Sequence, residues 1–569
     1  MNPITEHDIL IIGGGAAGLR AAISAAEFNP KLSIAILSKV YPTRSHTVSA
    51  EGGCAAVIAK DDNIKSHIED TIKGSDYLAD QDAVEFFVKH CKEEIFLLEK
   101  WGCPWSRNKD GTIAVRAFGG MSKKRTVFAA DKTGFFMLHN LFERTFLHPN
   151  IHRYNEWYVT KLFKDNKGIT GVMAIQQKEG KLQTFSAKAI IMATGGAGKM
   201  YKNSTNGVIK TGDGMYLAYD AGAALKDMEF VQFHPTALPK TGILITEAAR
   251  GEGGYLINNK KERFLKNYVP EKMELGPRDL ISRAIINEYH KGNGFTGPYG
   301  KYMQLDIRHL GEKTINEKLP QIRELAIEFM HTDPVTTPIP VTTAQHYTMG
   351  GISTDIKGQT TIPGLLAAGE TACVTMNGAN RLGSNSLAEC LVFGAEAGKN
   401  AAIYAKKNKT RSPSLAQIKA ETKRIESILT NKGTENPFKL RDEMQETMDE
   451  HAGIIRNEKS LSTGIKKIKY LQKKFDKIQI KQTNKVFNNE LITTLELAGM
   501  LKLAEITLTA AKTRRESRGA HYRTDYPKRN DKKFLNHLLI TKKQKTNQSL
   551  TIKTTPVTIT KWQPRERKY

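Results

Sequence analysis

The chain has 569 residues, of which 40% are apolar and 25% charged, with five cysteines and a formal net charge of +26. At roughly 100–200 residues per domain this length predicts three or four structural units, and the composition excludes a disordered or fibrous chain. No apolar run reaches the ~18 residues of a membrane span, and Cys54, Cys91, Cys103, Cys373 and Cys390 show no C-x-x-C spacing, which excludes a disulfide framework and a zinc or iron–sulfur ligand set.

The charge is uneven. Residues 401–569 hold 38 Lys and Arg against 17 Asp and Glu, so +21 of the net +26 lies in the C-terminal third. A Lys-rich solvated surface is the simplest reading; docking to an acidic partner or an anionic membrane face is the second. Nucleic acid is not expected as a partner, because no basic stripe interleaved with aromatics accompanies the charge.

The N-terminal "MNPITEHDILIIGGG" enters a strand pattern at once, which leaves no room for a signal or transit segment and predicts a cytosolic, most simply bacterial, protein. "HDILIIGGGAAGLRAAISAA" (7–26) reads as buried strand, glycine turn and Ala-rich helix. Gly13, Gly15 and Gly18 form G-x-G-x-x-G in the context that a dinucleotide needs: tight turn, close backbone approach to a pyrophosphate, close helix–strand packing. The next strand, "KLSIAILSK" (31–39), ends on Ser38 and Lys39, where an acid for the ribose is usual. That favours a flavin dinucleotide held by further loops over a simple NAD site, with Glu370 a candidate for the ribose contact.

"RSHTVSAEGG" (44–53) follows. Its small polar residues exclude a core helix around His46, and leave open a passive loop residue, a ligand, a base or a cofactor attachment. "AKAIIMATGGAG" (187–198) and "TTIPGLLAAGE" (360–370) repeat the strand-to-glycine junction. Junctions so far apart predict one α/β, Rossmann-like cofactor domain (1–234 and 346–410) interrupted by an α+β capping domain (235–345). A helical domain (411–530) and a small C-terminal domain (531–569) complete the expected order.

Five Gly-rich segments carry groups suited to a dicarboxylate: His234 in "FVQFHPT", Thr246, Glu247 and Arg250 in "GILITEAARGEGG", Arg278 in "ELGPRD", His346 in "TAQHYTMGG" and Arg381 in "NGANRLGSNSL". Arginine's planar fork takes a carboxylate through two parallel hydrogen bonds. Histidines and a hydroxyl could hold and twist a second carboxylate, polarising an adjacent double bond.

Together these segments, with "SKVYPTRSHTVSAEGG", "FGGM", "TGDGM" and "RRESRGAHYRTDYPKRND", resemble the flavoprotein subunit of the succinate dehydrogenase / fumarate reductase family over nearly the whole chain. The resemblance implies FAD attached covalently through His46. It implies cofactor contacts from Gly13, Gly15, Gly18, Ser38, Lys39, Arg44, Ser45, Thr47, Gly52, Gly53, Asp213, Glu370, Ser386 and Leu387. It places the dicarboxylate, fumarate or succinate, on His234, Thr246, His346 and Arg381, with Arg278 as proton donor relayed by Glu247 and Arg250. No metal site is implied. The implied partners are an iron–sulfur subunit carrying the clusters and small membrane-anchor subunits, with quinone served indirectly, at the cytoplasmic face of a bacterial inner membrane. "WGCPWSR", "VYP", the short stretch after "FGGM" and Glu51 resemble the quinol:fumarate reductase branch; dehydrogenases more often have glutamine at Glu51. A negative charge there would disfavour a reduced, anionic flavin. Asn377 departs from the family's usual histidine before Gly-Ala-Asn-Arg. A soluble L-aspartate oxidase-like flavoenzyme is the alternative, against which His46 argues.

Overall fold

A computed structural model of the protein describes residues 3–543 and 550–568. Its centre is a five-stranded, all-parallel sheet in the order Leu365–Ala367, Ala189–Met192, Ile9–Ile12, Ile34–Ser38, Ile151–Asn155. The first four are short apolar runs buried on both faces, as parallel strands covered by helices must be. One face is covered by the helices Ala16–Phe28 and Asn385–Lys407, which pack so closely that a Cβ on Gly394 or Gly398 would enter the backbone of Ala17 or Ala21. The other carries a four-stranded sheet built from Thr5–Glu6, Lys181–Ser186, Gly168–Gln176 and Trp157–Asp165.

The cap has its own sheet, Val231–Ala237, Ile339–Thr348, Gly300–Asp306 and Tyr255–Ile257, and its own apolar core around Leu256, Phe264, Ile285 and Leu305. The two strands that connect it to the cofactor domain run through residues 235 and 345, so the chain enters and leaves the cap along one hydrogen-bonded pair. The helical domain follows with Leu415–Thr430, Pro437–His451, Glu458–Phe475 and Asn489–Thr513. The small C-terminal domain is built onto what precedes it: Asn536–Lys542 and Leu550–Pro556 pair with each other and extend a sheet through Leu225–Lys226. No helix among the described residues is long and apolar enough to cross a membrane.

Candidate active site

Gly13 sits at φ +119°, a conformation that favours glycine, and a Cβ there would strike the Ala193 carbonyl. Gly18 packs on the Gly13 carbonyl. Between them Gly15 begins the helix Ala16–Phe28, whose first N–H, on Ala16, donates to Thr47 Oγ1 at 3.2 Å, and the turn and the start of the helix line the cavity wall. From this turn runs a cavity of about 970 Å³, near the upper end of the ~300–1,000 Å³ usual for ligand sites. Buried polar atoms on its wall, Ser45 Oγ, Glu51 Oε2, His234 Nε2 and Arg381 Nε, have no hydrogen-bond partner among the described residues. Buried polar groups are ordinarily paired, so these are positions for a large polar ligand to complete, and a flavin dinucleotide fits both the volume and the donor set.

Along the wall lie Gly13, Gly15, Ser38, Lys39, Ser45, His46, Thr47, Glu51, Gly52, Gly53, Asp213, Glu370, Ser386 and Leu387. Gly18 and Arg44 are not among them. Arg44 ends the short helical turn Pro42–Arg44 with its side chain exposed, while the next turn, His46–Ser49, faces inward.

Beside Ser38 the wall carries a charged cluster. Lys39 Nζ donates to Asp213 Oδ2 at 2.6 Å, Glu496 Oε1 at 2.7 Å and Thr211 Oγ1 at 3.0 Å. Asp213 is thus the wall carboxylate beside Ser38–Lys39. Glu370 is engaged elsewhere, paired with Lys210 and accepting from the Thr348 N–H at 3.1 Å.

His46 lies between these groups and the other end of the cavity. Its Nδ1 accepts from the Gly207 N–H at 3.3 Å, which leaves Nε2 as the nitrogen open to attachment. Burial, then the charges of Lys210 and Lys199, hold it well below the usual histidine range, so the ring is neutral at neutral pH. Burial pushes the Glu51 carboxyl well above its ordinary range, Asp131 adds to this, and Arg116 only partly offsets it. The fixed negative charge expected from sequence is therefore weakened by the folded surroundings.

At the far end the groups expected to hold a dicarboxylate converge. The rings of His234 and His346 lie 5.0 Å apart. His234 Nδ1 accepts from the Thr236 N–H at 3.2 Å, which leaves the ring proton on Nε2, and His346 Nδ1 is 2.8 Å from Thr205 Oγ1. Burial, then the neighbouring arginines and, at His346, His234 itself, keep both imidazoles neutral. Thr246 caps the helix Glu247–Gly251 by accepting from the Ala248 N–H, leaving its hydroxyl proton to donate. Arg381 lies 4.4 Å over the Tyr347 ring and donates from Nη1 to Ser386 Oγ at 2.9 Å. Burial, then the charge of Arg278, lowers its guanidinium to about 10.

Arg278 opens the helix Arg278–His290, directly after Pro277. Its Nε donates to Glu247 Oε2 at 2.7 Å and its Nη1 to Gln232 Oε1 at 3.1 Å. Glu247 also accepts from the Gly119 N–H at 2.5 Å and pairs with Arg250 at 3.7 Å; Arg250 in turn holds the Glu274 carbonyl. Burial alone would raise Glu247, but Arg278 and Arg250 outweigh it and leave the carboxylate ionised. Arg278 and Arg250 share this one carboxylate, and the buried Arg381 has Ser386 and Tyr347 beside it instead, so positive charge is in excess and this end favours a dianion. Arg250 stands behind the wall rather than on it.

Asn377 is also off the wall. Its Nδ2 donates to Glu389 Oε2 at 2.9 Å, the oxygen that takes the Tyr347 hydroxyl at 2.7 Å, and burial raises Glu389 to about 6. Gln232, Glu274 and Gly119 lie in "FVQFHPT", "ELGPRD" and "FGGM" but are overshadowed there by the charged and imidazole groups, and Lys210 and Glu496 lie in no quoted segment.

Residues 8–387 match the FAD binding domain family and residues 441–569 the fumarate reductase flavoprotein C-terminal family. The chain is 51% identical to the fumarate reductase flavoprotein subunit of Mycobacterium tuberculosis, over 99% of both chains. The chain belongs to the fumarate reductase / succinate dehydrogenase flavoprotein family. It is more distant, at 41%, from the succinate dehydrogenase flavoprotein subunit of Coxiella burnetii, over 94% of both chains. Among solved structures, the FrdA chain of an E. coli quinol fumarate reductase point mutant superposes with a TM-score of 0.97 at 46% identity, covering 100% of this chain and 99% of that one. This fumarate reductase / succinate dehydrogenase flavoprotein is an FAD enzyme acting on CH–CH groups, and the fold expected from sequence is the fold found. The aspartate oxidase alternative is set aside by the family.

Proposed function

We propose that the flavoprotein interconverts fumarate and succinate with fumarate reduction as its working direction, at FAD joined covalently to His46. It works as one subunit of a membrane-associated complex whose iron–sulfur subunit and small anchors link it to a quinone pool at the cytoplasmic face of a bacterial inner membrane. The observation that carries the reading is a single cavity that joins the glycine turn and a neutral His46 to the Arg278–Glu247–Arg250 chain.

FAD, when bound, supplies the hydride chemistry. Gly13, Gly15, Asp213 and the Lys39 cluster hold its dinucleotide portion. Arg381 takes one substrate carboxylate in its fork, with Ser386 and Tyr347 fixing the plane of the guanidinium. His234, His346 and Thr246 donate to the other carboxylate and turn it out of conjugation, which strengthens as negative charge grows on the adjacent carbon. Arg278 is positioned to give a proton to that carbon. A free guanidinium is a poor acid, with a pKa of about 12.5 or more, but Glu247 at 2.7 Å and Arg250 behind it supply a path for its re-protonation. The direction rests on the resemblance to the quinol:fumarate reductase branch and on the higher identity to fumarate reductases.

Acid precipitation followed by gel fluorescence tests the attachment: flavin stays with the wild-type chain and washes out of His46→Ser. Flavin that washes out of wild type refutes it. A ratio of fumarate-reducing to succinate-oxidising rates below one, with dye mediators on the isolated complex, refutes the direction.

A further inference from the structure

After the strand Leu550–Pro556 the chain runs as an extended strap along the cofactor domain. It is held in register by one glutamine. Gln81 Oε1 accepts from the backbone N–H groups of Thr560, Lys561 and Trp562 at 3.0, 2.9 and 3.0 Å, and its Nε2 donates to the Trp562 carbonyl at 2.6 Å. Asp80 accepts from the Thr558 N–H at 2.6 Å, the Trp562 indole N–H donates to Glu69 at 2.9 Å, and Lys73 donates to the Lys568 carbonyl at 2.7 Å. These anchors on both sides of Arg567 fix where its guanidinium can reach.

It reaches across the seam between the cofactor domain and the cap. Arg567 Nη2 donates to Asp279 Oδ2 at 2.6 Å, and its Nε lies 3.3 Å from Asp76 Oδ1. The three side chains are only 8%, 1% and 8% exposed, in the order Arg567, Asp279, Asp76. Asp279 is the second residue of the cap helix Arg278–His290, next to Arg278 itself. Asp76 belongs to the turn after the helix Ile64–Gly74 of the cofactor domain and holds a φ of +54°, an uncommon conformation for a side-chain-bearing residue. We propose that Arg567 is a positioning residue for proton transfer: by bridging Asp76 to Asp279 it ties the first turn of the cap helix to the cofactor domain and so sets the reach of Arg278. This rests on the reading of Arg278 as proton donor.

The partners on either side make the bridge separable from folding. Asp279 keeps Arg283 at 3.2 Å, and Arg283 also donates to the Gly519 carbonyl at 2.9 Å. Asp76 keeps Arg529 at 2.8 Å and the Gly519 N–H at 2.8 Å. Loss of Arg567 therefore strands neither carboxylate; it removes the tie. A displaced proton donor matters in the transition state, where misplacement by about 1 Å costs roughly 10²-fold, whereas the carboxylate-binding groups stay where they are.

The test uses the assembled complex with Arg567→Gln, Asp279→Asn and the double variant, each checked for flavin content and melting temperature. The expected result for Arg567→Gln is a fumarate kcat lower by about tenfold, KM within about twofold, and a larger solvent deuterium effect on kcat. The double variant falls no further than the more impaired single, because both remove one bridge. Should Arg567→Gln not assemble, Arg567→Lys, which keeps the charge but cannot span two carboxylates, gives the same split. Unchanged kcat and isotope effect, a raised KM with kcat preserved, or additive losses would overturn the proposal. Arg278→Lys in parallel separates the two readings: if it retains turnover, the proton-donor reading fails; if it abolishes turnover while Arg567→Gln does nothing, only the bridge fails.

Discussion

His537 offers a stability prediction that can be worked through in full. Its Nδ1 lies 2.6 Å from Asp227 Oδ2 and its Nε2 3.2 Å from Asp80 Oδ1, so both ring nitrogens donate to carboxylates and the bound form is the imidazolium. Burial alone would lower its pKa; Asp227 and then Asp80 outweigh that and raise it from 6.5 to about 9. A group raised on folding contributes stability that is fully present below its unfolded pKa of 6.5 and is lost as the pH rises through 9. At about 1.4 kcal/mol per unit this amounts to about 3 kcal/mol between pH 6 and pH 9. Unfolding entropy of about 2.1 cal/mol/K per residue gives roughly 1.2 kcal/mol/K for a chain of this length, so the shift in Tm is about 3 °C. The assay is the melting of wild type and His537→Asn at both pH values. Taking the difference between them cancels the titrating groups that His537 does not touch. The gap should be about 3 °C narrower at pH 9 than at pH 6. A gap independent of pH would refute the clamped imidazolium.

Two further outcomes bear on the cavity. Arg381→Lys keeps a charge but loses the fork, the Ser386 bond and the stack on Tyr347; at ~2–4 kcal/mol for a disrupted buried charge pair, kcat/KM for fumarate should fall roughly 30- to 1,000-fold, and a change under threefold in steady-state kinetics would contradict its placement. Gly13→Ala forces a Cβ into the Ala193 carbonyl at φ +119°; the purified chain should carry at least ~10-fold less FAD, which corresponds to about 1.4 kcal/mol or more, by flavin absorbance against protein.

Legibility in the sequence followed distance along the chain. The glycine turn, the strand-to-glycine junctions and the dicarboxylate groups were readable because each is a local signal: a backbone need at Gly13, a charged side chain in a Gly-rich loop at Arg278 and Arg381. The groups that complete the site were not. Glu496 reaches Lys39 from a helix over 450 positions away, and Gln232 and Gly119 meet Arg278 and Glu247 only in the folded chain. The edge strand Ile151–Asn155, "IHRYN", lacks apolar periodicity because only Ile151 is fully buried.

The packing of Ala16–Phe28 on Asn385–Lys407 also has a consequence for when the cofactor can be loaded. The glycine turn leaves the ribosome first, but the helix that covers it and the Ser386–Leu387 wall arrive about 370 residues later, roughly 20–75 s at ordinary elongation rates. Until then the nascent N-terminal strands have neither their last parallel neighbour, Leu365–Ala367, nor a closed pocket. A complete pocket around the glycine turn can therefore form only in the later part of synthesis, once Leu365–Ala367 and Ser386–Leu387 have emerged.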